Sequence, residues 1–130
     1  MKNTVKKSGL DRLLQKASGD PDTLAVILFG SVARDESSSL SDMDICIILN
    51  KKYDPAALSQ KKLEYLSVAD SDISIYQQLP LYIRHRVLKE GRVLFCRNDD
   101  MLYELAFKTV KEFEDFKPLY YEYLEEVARG

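Results

Sequence analysis

Two short apolar runs with a polar segment between them constrain this chain more than any other feature. Leu24-Ala25-Val26-Ile27-Leu28-Phe29 and Ile45-Cys46-Ile47-Ile48-Leu49 have the length and aliphatic content of strands buried on both faces. The stretch from Gly30 to Asp44 reads Gly-Ser-Val-Ala-Arg-Asp-Glu-Ser-Ser-Ser-Leu-Ser-Asp-Met-Asp, so whatever chemistry it carries is presented by buried strands on either side. Gly30 lets the backbone turn sharply and lets a ligand come close, and Ser31 suits the cap of a short following helix. Free N–H groups and the positive end of a helix dipole then point at one spot, which suits a phosphate.

At the other end of the segment Asp42 and Asp44 are two residues apart, a spacing that puts both carboxylates on one side of a strand. Adjacent carboxylates repel, and a divalent cation removes the conflict. Mg²⁺, a hard ion that prefers carboxylate and phosphate oxygens, is the natural candidate. With the two strands as neighbours, the phosphate cradle and the carboxylates face each other across a gap that fits a nucleoside triphosphate.

Gly30-Ser31, ten intervening residues and Asp42-Met43-Asp44 resemble the signature of the DNA polymerase β-like nucleotidyltransferases. The small size is similar to that of the minimal nucleotidyltransferase (MNT) antitoxins, which are paired with HEPN toxins. Ala33-Arg34 and Ser41 match the commoner form of the motif, whereas Asp35 stands where many members have glycine. The resemblance implies an α+β fold: a mixed four-stranded sheet packed by helices, with extra C-terminal helices. It implies ATP as substrate, with Gly30, Ser31, Arg34 and Ser41 on the nucleotide and Asp42, Asp44 and Asp72 as catalytic acids and metal ligands. Asp72, with Asp70 as its substitute, is the residue that matches the family's third carboxylate, which lies on a strand next to the Asp-x-Asp strand and takes the proton of the attacking hydroxyl or completes the metal shell. Arg34 either neutralises the triphosphate or pairs with a nearby carboxylate.

The remaining chain reads as a framework for that site. Ser8 to Ser18 is a first helix with Leu10, Leu13, Leu14 and Ala17 inward, and the serine run Ser37 to Ser41 is a polar loop over the site. Pro55 opens a second helix running to about Val68, with Ala56, Leu58, Leu63 and Leu66 on its apolar face and Tyr65 a further candidate for it. Alternation marks Asp70 to Tyr76 as a strand, with Ile73 and Ile75 on one face and Asp72, Ser74 and Tyr76 on the other. A helix through Leu88 ends at Gly91, with Arg84, Arg86 and Lys89 outward and His85, the only histidine, structural. Arg92 to Cys96 is a last strand. From Asp99 the positions Leu102, Leu105, Ala106, Val110, Phe113 and Phe116 trace a helical stripe. Pro118 breaks or kinks it, and Leu119 to Val127 makes a further helix whose Tyr120, Tyr121 and Tyr123 cannot all face inward. Residues 1–130 read as one domain with a C-terminal helical segment at 99–128.

The formal net charge of −2 argues against a chain that holds a long polyanion, so direct nucleic-acid binding is not expected. Cys46 and Cys96 lie singly in apolar runs without metal-ligand spacing and read as reduced core residues of a cytoplasmic protein. No run is long enough to cross a membrane. The chain has little left beyond the catalytic core to bind an acceptor, so the acceptor is expected as a separate molecule. The resemblance makes it a HEPN ribonuclease toxin, neutralised by transfer of AMP from ATP to a tyrosine with Mg²⁺ as cofactor. Two other readings stay open: an antitoxin that occludes its partner by contact alone through the C-terminal aromatic helix, and a small-molecule nucleotidyltransferase that completes its pocket as a homo-oligomer.

Overall fold

The structure is a computed structural model that describes residues 4–30, 43–69 and 71–129. In chain order these form α1 (Thr4–Gly19), β1 (Thr23–Phe29), β2 (Asp44–Leu49), α2 (Pro55–Leu66), β3 (Asp72–Ile75), a 3₁₀ turn (Tyr76–Gln78), α3 (Leu81–Glu90), β4 (Arg92–Cys96) and α4 (Asp99–Arg129). The strands make one sheet in the order β3-β2-β1-β4. β1 pairs antiparallel with both β2 and β4, and β2 pairs parallel with β3, so the sheet is mixed, as expected.

The alternation of each strand divides the core between two faces. Val26, Leu28, Ile45, Ile47, Ile73 and Ile75 pack with Leu13, Ala17, Leu58 and Tyr65 from α1 and α2. Leu24, Ala25, Ile27, Cys46 and Ile48 pack with Tyr76 and Val87, flanked by Leu102 and Leu105 of α4. Both central strands are therefore covered on both sides, which is why they read as unbroken apolar runs.

Several sequence expectations shift. α1 begins a turn before Ser8, and β3 is shorter than 70–76 because the chain tightens into the 3₁₀ turn at Tyr76. On α2 the buried residues are Leu58 and Tyr65, while Leu63 and Leu66 are exposed. The rotation follows Tyr65, whose hydroxyl meets the Thr23 hydroxyl at 2.6 Å and donates to Asp20 Oδ2 at 3.3 Å. Asp54 caps this helix, accepting from the Ala57 amide at 2.8 Å, with Pro55 in its first turn.

The C-terminal segment is one 31-residue helix that runs through Pro118, in place of two helices. Proline removes one donor and crowds the preceding turn, but Phe113, Phe116 and Tyr120 make a tilted aromatic ladder across the site, and Tyr120 stacks on Tyr82 of α3 at 5.6 Å. Those contacts span the proline and hold the helix continuous across it. Thr109, bonded to the Tyr76 hydroxyl, is buried together with Phe113 of the stripe, whereas Val110 faces outward. His85 stacks on Phe113 at 4.1 Å, the structural role expected of it. Arg84 lies over the Tyr76 ring and reaches Glu112, so it is an interhelix contact and not a solvated charge. Cys46 is buried and Cys96 half-buried, and both are free. No described helix is long and apolar enough to cross a membrane.

Candidate active site at the head of the sheet

β2 and β3 share the pattern Asp-Ile-x-Ile, at Asp44-Ile45-Cys46-Ile47 and Asp72-Ile73-Ser74-Ile75. Burying both isoleucine pairs on one face fixes the register, since a one-residue slip would turn them outward. In the parallel ladder Asp44 therefore stands opposite Asp72, with Ile45 opposite Ile73. The Asp72 amide donates to the Met43 carbonyl at 3.0 Å, extending the ladder to the head of the sheet. On the other side Asp44 pairs with Phe29, the residue before Gly30. Glycine, Asp44 and Asp72 thus meet at one end of three neighbouring strands.

Gly30 has φ +88°, the only positive-φ residue among those described. A Cβ there would lie 2.3 Å from Asp44 Oδ2. The position needs glycine twice over: for the left-handed backbone and for the close approach to the carboxylate.

Burial pushes the Asp44 carboxyl above its usual range, and the hydrogen bond and charge of Asp72 push it the same way. Asp44 is half-buried and Asp72 exposed, so the pair opens to solvent on the Asp72 side. Two oxygen-only side chains facing one another are a donor set that a hard divalent cation such as Mg²⁺ fits. Among the described residues no third histidine, cysteine, aspartate or glutamate joins them.

Of the residues singled out in the sequence, Gly30, Asp44 and Asp72 come together here. Ser31, Arg34, Ser41 and Asp42 lie outside the described residues, as do the serine run, Asp35 and Asp70. The resemblance implied Asp72 on a strand next to that of Asp44; what sequence reasoning did not give is the register that sets the two face to face, for which the repeated Asp-Ile-x-Ile was the signal. A cavity of about 630 Å³ opens at the opposite end of β2, lined among others by Leu49, Lys51, Gln77 and Lys108, and is not part of this site.

Residues 11–100 match the family "Polymerase beta, Nucleotidyltransferase". The chain is 32% identical over 71 residues to a provisionally assigned protein adenylyltransferase of Methanocaldococcus jannaschii, covering 54% of this chain and 53% of that protein. It thus spans about half the length of that relative. Among solved structures, a chain of a toxin–antitoxin complex with AMP-PNP superposes with a TM-score of 0.69 at 20% identity, covering 93% of this chain and 97% of that one. A chain of the complex of tri-AMPylated Shewanella oneidensis HEPN toxin with MNT antitoxin superposes with a TM-score of 0.67 at 18% identity, covering 96% and 98%. At these identities the likeness shows the fold.

Proposed function

The chain belongs to the polymerase β nucleotidyltransferase family, and on that premise we propose that it transfers AMP from ATP to a tyrosine hydroxyl of a partner HEPN toxin and so acts as an antitoxin. The observation that carries this reading is the in-register pairing of Asp44 with Asp72 beside the left-handed Gly30. The neighbours supply the partner class, since they include complexes of MNT antitoxins with HEPN toxins, one of them AMPylated. The relative in M. jannaschii points to protein as the acceptor class.

In the proposed reaction the acceptor oxygen bonds to the α-phosphorus, the bond to the bridging oxygen breaks, and pyrophosphate leaves. Gly30 leaves space for the triphosphate beside Asp44, with Ser31, Arg34 and Ser41 completing the nucleotide contacts. Asp44, with Asp42 and Asp72, would hold Mg²⁺, which supplies charge neutralisation on the phosphates. Asp72, the open side of the pair, accepts the proton of the incoming hydroxyl.

The test is incubation with α-labelled ATP, Mg²⁺ and the protein encoded by the neighbouring reading frame. Label on a tyrosine of that protein, lost in Asp44→Asn, is the expected result. A partner neutralised without label would show that contact alone suffices, and label on an added small molecule would move the acceptor class.

A further inference from the structure

α4 carries a second apolar strip besides the one that faces the sheet. From Tyr103 to Ala128 the positions spaced alternately by four and three residues stay on one side of the helix, the seam spacing of paired helices. They lie about a quarter turn from the half-buried Leu102 and the buried Thr109 and Phe113. Tyr103 is 78% exposed and Phe107 73% exposed, and Val110, Tyr121 and Leu124 are exposed too. A shallow groove of about 620 Å³ follows the strip past Pro118 and is lined by Tyr121, Leu124 and Ala128. Beyond Tyr120 every described residue of the helix is exposed, so its last turns lack the packing that normally sustains a helix.

The order of residues along this strip says what covers it. Read from both ends inward it pairs large with small and acid with base: Tyr103 with Ala128, Phe107 with Leu124, Val110 with Tyr121, and Glu114 with Lys117. These are the pairs that two copies of the strip make when they lie antiparallel about a two-fold axis between Glu114 and Lys117, an isologous contact. We infer that α4 pairs with α4 of a second copy of this chain along the strip. Glu114 of each copy then meets Lys117 of the other, and neither residue is in an ion pair within the chain among those described. The aromatic rings of Tyr103 and Phe107 fill the groove over the small Ala128. Glu104 falls near Glu125 of the second copy, a like-charge contact relieved by Arg129, which sits 3.5 Å from Glu125 in its own chain. The inference is independent of the transfer reaction, because the strip does not include the head of the sheet.

The experiment is sedimentation equilibrium of the full chain alone across a wide concentration range, with circular dichroism to check that each variant keeps its helix. The expected particle is twice the 15.0 kDa chain. Phe107→Glu raises the dimer Kd roughly a hundredfold. Glu114→Lys or Lys117→Glu alone, each placing like charges together at two symmetric points, raises it about tenfold, and the two together restore it. Val110→Cys with Tyr121→Cys gives a disulfide-linked dimer on oxidation, which the parent chain does not. A chain that stays monomeric at every concentration overturns the inference, as does a double charge reversal no better than the singles. So does a strip that pairs only with a different protein.

Discussion

The two ends of the sheet each hold a pair of aspartates, and they treat them in opposite ways. At the end away from the candidate site, Asp20 and Asp22 both receive Lys61, at 3.1 Å and 3.2 Å. Burial works against the Asp20 carboxylate, but the hydrogen bond from Lys61, the Asp22 amide and the Lys61 charge hold its pKa below the usual value. Burial also works against the Lys61 ammonium, and its two aspartates outweigh that and raise its pKa. Arg97 closes the same corner by donating to the carbonyls of Ala17, Ser18, Asp20 and Thr23. At the head of the sheet Asp44 has Asp72 as its charged neighbour among the described residues, and burial with Asp72 pushes Asp44 upward. One acid pair is neutralised from within the fold and contributes stability. The other has no such partner among the described residues.

Removing acids and bases from the two ends should therefore have unlike consequences. The largest effect is expected from Asp44→Asn, which should slow AMP transfer roughly a thousandfold while leaving the urea midpoint unchanged or slightly higher, since it removes a repulsion. Initial rates and a denaturation curve on the same preparation check both halves. Lys61→Met should do the reverse, leaving the rate intact and costing about 2 kcal/mol of stability, because Asp20 and Asp22 are left without their cation in a partly buried corner. Gly30→Ala joins the two behaviours. Its left-handed backbone costs a side chain about 1–2 kcal/mol, and the new Cβ displaces the Asp44 carboxylate, so stability and rate should both fall.

The pH dependence of stability separates the ends by sign. For Asp20 the folded state favours the carboxylate, so its contribution is present above the unfolded pKa of about 3.9 and is lost as pH falls through the lower folded value. For Asp44 the folded state favours the proton, so acidification from neutral pH toward about 4 raises stability, and the gain disappears as pH rises through the folded pKa. Urea midpoints between pH 7 and 3 should thus climb and then drop. Asp44→Asn should flatten the climb alone, the smallest of these effects.

Much of this architecture was legible because the governing signals are local. Apolar runs set β1 and β2, Asp54-Pro55 set the start of α2, and the stripe after Asp99 set the long helix. Pro118 misleads because a local rule meets a tertiary contact: the stacking of Tyr120 on Tyr82 outweighs one missing donor. Spacing left Tyr65 beside Leu63 and Leu66 as candidates for the apolar face of α2, and the choice falls to Tyr65 because Thr23 and Asp20, some forty residues earlier, draw it inward. Within the site, the resemblance implied that Gly30, Asp44 and Asp72 meet. Their convergence depends on the register between β2 and β3, which is set by isoleucines and not by the acids themselves. Lys61 and Arg97 carry no sequence signal at all, because what they neutralise is distant in the chain.

The most direct test of the head of the sheet is a carboxyl-carbon NMR titration of Asp44, with and without Mg²⁺ and a non-hydrolysable ATP analogue. Without them Asp44 should titrate above the ordinary aspartate value; with them it should stay ionised to a pH below that value, as the cation favours its carboxylate. An Asp44 titration that is the same in both samples would contradict a cation-binding role for this pair.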